Sequence, residues 1–236
     1  MQRKTFFIVL FTGIVLIFGL IQYWNRTEEV SKSWRLPLSG KVIYLDPGHG
    51  GPDGGAGDKD ALEKDLALNI SLKLRDFLQE QGALVIMTRE IDKDLASPET
   101  KGYRKRKRED LKTRLKLINN SEADLFISIH LNSIPSPKWS GAQTFFTPYY
   151  EENERVAKFI QDEFVHSLGN TTRKAKIINN VYILKHAKKP GALVEVGFLS
   201  NPEERRNLIT SAYQEKIAAS IYKGISRYFT NEETPN

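Results

Sequence analysis

Short apolar runs alternate with segments of helical period from Lys41 to Tyr228, and this alternation restricts the chain to an α/β fold. Strands are expected at Val42–Leu45, Leu84–Thr88, Leu125–Ile129, Ala142–Thr147, Val181–Leu184 and Leu193–Val196. Helices are expected at Leu66–Leu78, Leu111–Ile118, Glu151–Leu168 and Tyr213–Tyr228. The first helix gives the clearest signal. Leu66, Ile70, Leu74, Phe77 and Leu78 fall on one face at 3.6 residues per turn, and Gly82 supplies a left-handed stop.

With 236 residues and no internal repeat, one domain is expected over 41–230, followed by a short tail at 231–236. Ahead of it, Arg3 and Lys4 precede an apolar stretch from Phe6 to Ile21, so residues 1–24 read as an export segment. Its length fits both a cleaved signal peptide and a retained membrane anchor. Residues 25–40 are polar and close on Pro37, Ser39 and Gly40, which reads as a linker. Membrane contact is therefore expected only through residues 1–24.

The net charge of +6 favours an anionic partner without naming it. The densest basic cluster, Lys101 to Arg108, reads as a solvated loop and helix start, with docking on an anionic wall or membrane surface as the alternative. Because the chain has no cysteine, disulfides, thiolate metal sites and a cysteine nucleophile are excluded, and any metal must sit on His and carboxylates.

The segment Asp46-Pro47-Gly48-His49-Gly50-Gly51-Pro52-Asp53-Gly54-Gly55-Ala56-Gly57 is a loop directly after the first strand. It fits neither G-x-G-x-x-G nor the P-loop pattern, which argues against a nucleotide. The alternate carboxylates of an EF-hand are also missing. What remains is a flexible backbone around one imidazole.

His130 ends the expected strand Leu125–Ile129, so both His49 and His130 sit where α/β sheets bind ligands, past the carboxyl ends of strands. Glu63 lies at the start of the first helix, where the helix dipole alone would account for it. Together the three make a His2Glu donor set of the kind that catalytic zinc uses. Glu195, inside an apolar strand, is costly to bury unpaired, so it is either satisfied by hydrogen bonds or functional, and the functional reading is a general base beside the metal. His166, near a helix end, reads as structural. His186, beside Lys185, Lys188 and Lys189, is the competing ligand.

Four motifs in a fixed order carry a resemblance: Asp46-Pro47-Gly48-His49-Gly50-Gly51, then Glu63, then Ser128-Ile129-His130-Leu131-Asn132, then Val194-Glu195-Val196-Gly197-Phe198-Leu199-Ser200-Asn201. With Thr88-Arg89, Asp92, Leu111, Arg114, Asn119 and Pro190 they make the chain from about Lys41 to Phe229 resemble the zinc-dependent N-acetylmuramoyl-L-alanine amidases. Within that family it looks most similar to spore-cortex, germination-specific members.

The resemblance implies a mixed sheet of about six strands with helices on both faces, and Zn2+ held by His49, Glu63 and His130. It implies Glu195 as the catalytic carboxylate, Arg114 and Asn132 as supporting or substrate-contacting residues, and hydrolysis of the bond between N-acetylmuramic acid and L-alanine in peptidoglycan. A role in cortex maturation or germination, export from the cytoplasm and an accessory protein at the spore or wall fit the same reading. Nucleic acid is not an expected partner. The competing expectations are a non-catalytic wall-binding module, and a zinc peptidase or deacetylase acting on wall fragments. The connection from Asp92 to Leu111 is longer and more basic than the family's usual one, so contacts there are not carried over.

Overall fold

In the computed structural model, residues 13–23, 36–230 and 232–235 are described. The leader's Arg3, Lys4 and Phe6, most of the linker, and both Asn231 and Asn236 lie outside these. Residues 13–23 form helix α1, within a unit separate from the one beginning at Pro37. Among the described residues no helix is long and apolar enough to cross a membrane.

From Pro37 onward the elements are β1 (Val42–Pro47), β2 (Gly57–Asp58), β3 (Ala61–Leu62), α2 (Glu63–Glu80), β4 (Leu84–Met87), α3 (Tyr103–Asn120), β5 (Leu125–Asn132) and β6 (Gln143–Phe146). They continue through α4 (Glu151–Glu163), which runs into a π-helical turn at Phe164–Leu168, then β7 (Lys176–Ile177), α5 (Tyr182–His186), β8 (Gly191–Phe198), α6 (Pro202–Leu208) and α7 (Ser211–Tyr228). Six strands join in the order β4-β1-β5-β8-β6-β7. The first four are mutually parallel, β6 runs antiparallel to β8, and β7 is parallel to β6. β2 and β3 form a separate small hairpin.

Period-two alternation along β1 and β5 divides the core between the two faces of the sheet. Ile43, Leu45, Ile127 and Ile129 pack with residues of α2, α4 and α7, whereas Tyr44 and Phe126 pack with Ile118 of α3 and Ile183 and Leu184 of α5. Asp46, Ser128, His130 and Glu195 share the second parity and thus the α3 and α5 face. Packing begins before Lys41: Leu38, inside the expected linker, is wholly buried and donates its N–H to the Gln81 carbonyl.

Three expectations are corrected. Val181–Leu184 is not a strand; Tyr182–His186 is a short helix, started by the Lys185 N–H bonding to the Val181 carbonyl. The basic segment, expected as a loop and helix start, is mostly helix: α3 begins at Tyr103, well before the expected Leu111, and Arg106 is held by Asp94. His130 does not end its strand: β5 continues to Asn132, with Leu131 buried against the core.

Candidate active site

The glycine-rich loop exists to hold His49. Two buried arginines grip its carbonyls. Arg89 donates to Pro47 O (3.2 Å), Gly48 O (2.8 Å) and Lys64 O (2.7 Å), while Arg114 donates to Pro47 O (2.6 Å) and His49 O. So held, His49 adopts a left-handed backbone (φ 61°), a conformation that costs a non-glycine residue on the order of 1 kcal/mol and persists only where its surroundings enforce it.

Arg114 is itself fixed by Asp46 (2.8 Å) and Asp110 (2.8 Å), and all three are almost inaccessible. Burial opposes ionisation of Asp46, but the Arg114 charge and the Ser128 hydroxyl outweigh it and hold the carboxyl below its ordinary range. Two glycines are required for space. A Cβ on Gly48 would lie 2.4 Å from His130 Cε1, and one on Gly55 (φ 70°) would lie 2.6 Å from Glu63 Oε2 and 2.8 Å from His49 Cδ2.

This packing brings His49, Glu63 and His130 together from the loop, the first turn of α2 and β5, with one ligand atom of each within 4.8 Å of the others. Glu63 Oε1 lies 3.2 Å from His49 Nε2 and 2.9 Å from His130 Nδ1. Its Oε2 accepts the Ala56 N–H at 2.8 Å. Zinc ligands at about 2.0–2.1 Å in a tetrahedron stand about 3.4 Å apart, close to these separations. The pocket also favours positive charge. Although burial works against protonation, hydrogen bonds donated to Asp53 and Glu63 push His49 up to about 9, and the two imidazoles hold the buried Glu63 well below the carboxylate range. Donor set, spacing and charge all fit a divalent cation.

Behind His49 stands a brace that the sequence does not announce. Asp53 Oδ2 receives His49 Nδ1 at 2.9 Å, leaving Nε2 to face Glu63. Asp53 is held in turn by Tyr103 Oη (2.8 Å), Lys107 Nζ (3.1 Å) and the Gly55 N–H (3.2 Å). Carboxylates in this position fix the ring of a metal-binding imidazole and raise its basicity. Part of the basic segment therefore serves the site.

Glu195 is the direct register neighbour of His130 across β5 and β8. Its Oε2 is buried and has no hydrogen-bond partner. Burial pushes its carboxyl up to about 7; the imidazole of His130 opposes this and the charge of Glu63 adds to it. A carboxylate left unpaired at this depth is costly unless a ligand or cation meets it.

The family model for N-acetylmuramoyl-L-alanine amidase matches residues 43–227. The chain belongs to that family. It is 58% identical, over 235 residues covering 100% of this chain and 99% of the relative, to the germination-specific N-acetylmuramoyl-L-alanine amidase of Bacillus subtilis (strain 168). Among solved structures it resembles the CwlD amidase from Clostridioides difficile in complex with the GerS lipoprotein, with 44% identity, a TM-score of 0.78, and coverage of 80% of this chain and 98% of that one. An N-acetylmuramoyl-L-alanine amidase from Clostridium difficile 630 follows at 30% identity and a TM-score of 0.71, covering 82% and 98%.

Against this amidase fold the remaining expected residues separate clearly. Arg114 supports the His49 backbone from inside the protein. Asn132 ends β5, and its carbonyl receives the Leu199 N–H, tying the strand to the segment after β8. His166 is exposed and paired with Asp162, and the His186 ring lies tilted at 56° against Tyr182; neither joins the metal-binding group. The sequence reading missed Asp53, whose one signal is its place four residues after His49 in the same loop, and Tyr103, which carries none.

Proposed function

We propose that this amidase hydrolyses the bond between the lactyl carbonyl of N-acetylmuramic acid and L-alanine, with zinc held by His49 Nε2, Glu63 Oε1 and His130 Nδ1, and Glu195 as the proton-transferring group. The observation that carries the assignment is the unpartnered, buried Glu195 Oε2 beside the three-residue donor cluster. When bound, zinc supplies a Lewis acid for the scissile carbonyl and acidifies the attacking water towards neutrality. Glu195 accepts the proton of that water and delivers it to the leaving L-alanine nitrogen as the C–N bond breaks. A cation in the pocket favours the ionised form of Glu195 and so opposes the upward push of burial. Arg89, Arg114 and Asp53 hold His49 in place throughout.

A non-catalytic wall-binding role gives Glu195 no reason to be buried without a partner. A spore-cortex or germination role rests on the 58% identity to the germination-specific relative. Export through residues 1–24, and an accessory protein like the lipoprotein in the CwlD complex, belong to the same reading. Two variants test it: Glu195→Gln retains zinc and releases no L-alanine amino termini from peptidoglycan, whereas His49→Ala loses the metal. Normal cleavage by Glu195→Gln refutes the assigned role.

A further inference from the structure

Beyond Glu195 the sheet carries a second polar row. Gln143 on β6 is the register partner of Glu195 on β8, one strand further from His130, and directly paired residues project to the same face. The Gln143 Oε1 accepts Arg173 Nη1 at 3.2 Å, and Arg173 Nη2 donates to Ser140 O at 3.1 Å. The Arg173 guanidinium lies over the rings of Trp139 and Phe198, 5.6 and 5.1 Å from their centroids. Trp139 is 52% exposed.

Arg173 and Trp139 line a groove of about 430 Å3 together with Lys138, Asn170 and Thr171, and no acidic residue lines it. Among the described residues Arg173 forms no ion pair. Glu204 is close enough for its charge to act on Arg173, but its carboxylate makes no ion pair there and accepts the N–H groups of Gly141 and Phe198. A guanidinium lying over two rings, with N–H groups left over and no carboxylate paired to it, is a preorganised carboxylate receptor.

From this we infer that the Trp139–Arg173 groove is the subsite for the stem peptide, with Arg173 pairing to a peptide carboxylate downstream of L-alanine. The inference rests on the amidase reading and deepens it. One strand spacing of about 4.8 Å plus the Gln143 side chain sets Arg173 on the order of 10 Å from Glu195. Two extended peptide residues, at about 3.3–3.6 Å each, plus a hydrogen bond of about 2.9 Å to the guanidinium cover that distance. The second residue of a stem, γ-linked D-glutamate, offers its free α-carboxylate at that reach.

The test is inhibition of peptidoglycan digestion by the full chain, using the peptide L-alanyl-γ-D-glutamyl-L-lysine and its fully carboxamidated form. The free-acid peptide is expected to inhibit native protein about tenfold more strongly than the amide, in line with a charge-assisted bidentate contact. Arg173→Gln brings the two inhibition constants together, Arg173→Lys restores part of the difference, and Trp139→Ala, a change at an exposed site, reduces it. Zinc content stays unchanged in all three variants. Equal inhibition of the native protein by both peptides, or a tenfold preference that survives Arg173→Gln, overturns the subsite. If the native chain releases no L-alanine amino termini, it is the amidase reading that fails instead.

Discussion

Asp53 offers the sharpest quantitative test of how the site is built. Among the described residues its carboxylate is the sole side-chain partner of His49 Nδ1, at 2.9 Å, and it is held by Tyr103 and Lys107 from the first turns of α3. Replacing Asp53 with Ala leaves all three expected ligands in place but frees the imidazole to turn and lowers its basicity. Loss of such a partner typically weakens metal affinity by 10- to 100-fold, or about 1.4–2.7 kcal/mol. The same carboxylate also stabilises a proton on His49, so its removal eases the competition between proton and metal. That offset sets the expectation near the lower end, about tenfold at neutral pH.

Tyr103→Phe removes one hydrogen bond from the brace and is expected to cost less, about two- to fivefold. Zinc affinity would be measured on the full chain by competition with a chelator of known strength, alongside thermal melts at saturating zinc to separate weaker binding from lost fold. An Asp53→Ala protein that is folded and binds zinc within twofold of native refutes the brace.

Arg114→Met leaves Asp46 and Asp110 buried without their cation, so a loss of about 3–5 kcal/mol is expected, seen as a fall in melting temperature of roughly 6–20 °C. Gly48→Ala drives a Cβ into the His130 ring, and the expected result is a folded protein with kcat/KM reduced by about 100-fold. Because the folded Asp46 carboxyl is depressed, its stabilisation is complete above its unfolded value of about 3.9 and lost as pH falls through the folded value. Denaturant titrations between about pH 2 and 5 should therefore show an acid limb that flattens in Asp46→Asn.

The features legible in the sequence are those written in apolar spacing. Leu66, Ile70, Leu74 and Leu78 announce α2, and the runs at Val42, Leu125 and Leu193 announce the three central strands, since burial on these faces leaves a period in the chain. α3 hides its first half because Tyr103 to Arg108 has no apolar face. That turn is held by Arg106 on Asp94 and Lys107 on Asp53, polar contacts that leave no period. Val181–Leu184 reads as a strand from its β-branched and aromatic residues, yet Ile183 and Leu184 reach the core beside Phe126 from a helical turn, where tertiary packing overrides local propensity.

Among the site residues, His49, Glu63, His130 and Glu195 could be named because their motifs occur in family order. From residue types alone the set was ambiguous, since the helix dipole would account for Glu63 and hydrogen bonds could satisfy Glu195. The structure adds the mutual distances, the orphaned Glu195 oxygen and the Asp53 brace, all of which depend on long-range folding.

The account stands most directly on what the protein releases from its substrate. Purified peptidoglycan would be incubated with the full chain, with and without a zinc chelator, and the fragments identified by mass spectrometry. The account predicts free L-alanine amino termini together with intact lactyl carboxylates on the muramic acid, abolished by chelator and restored by added zinc. Release of those products undiminished by chelation, or cleavage at another peptide bond or an acetyl group, contradicts it.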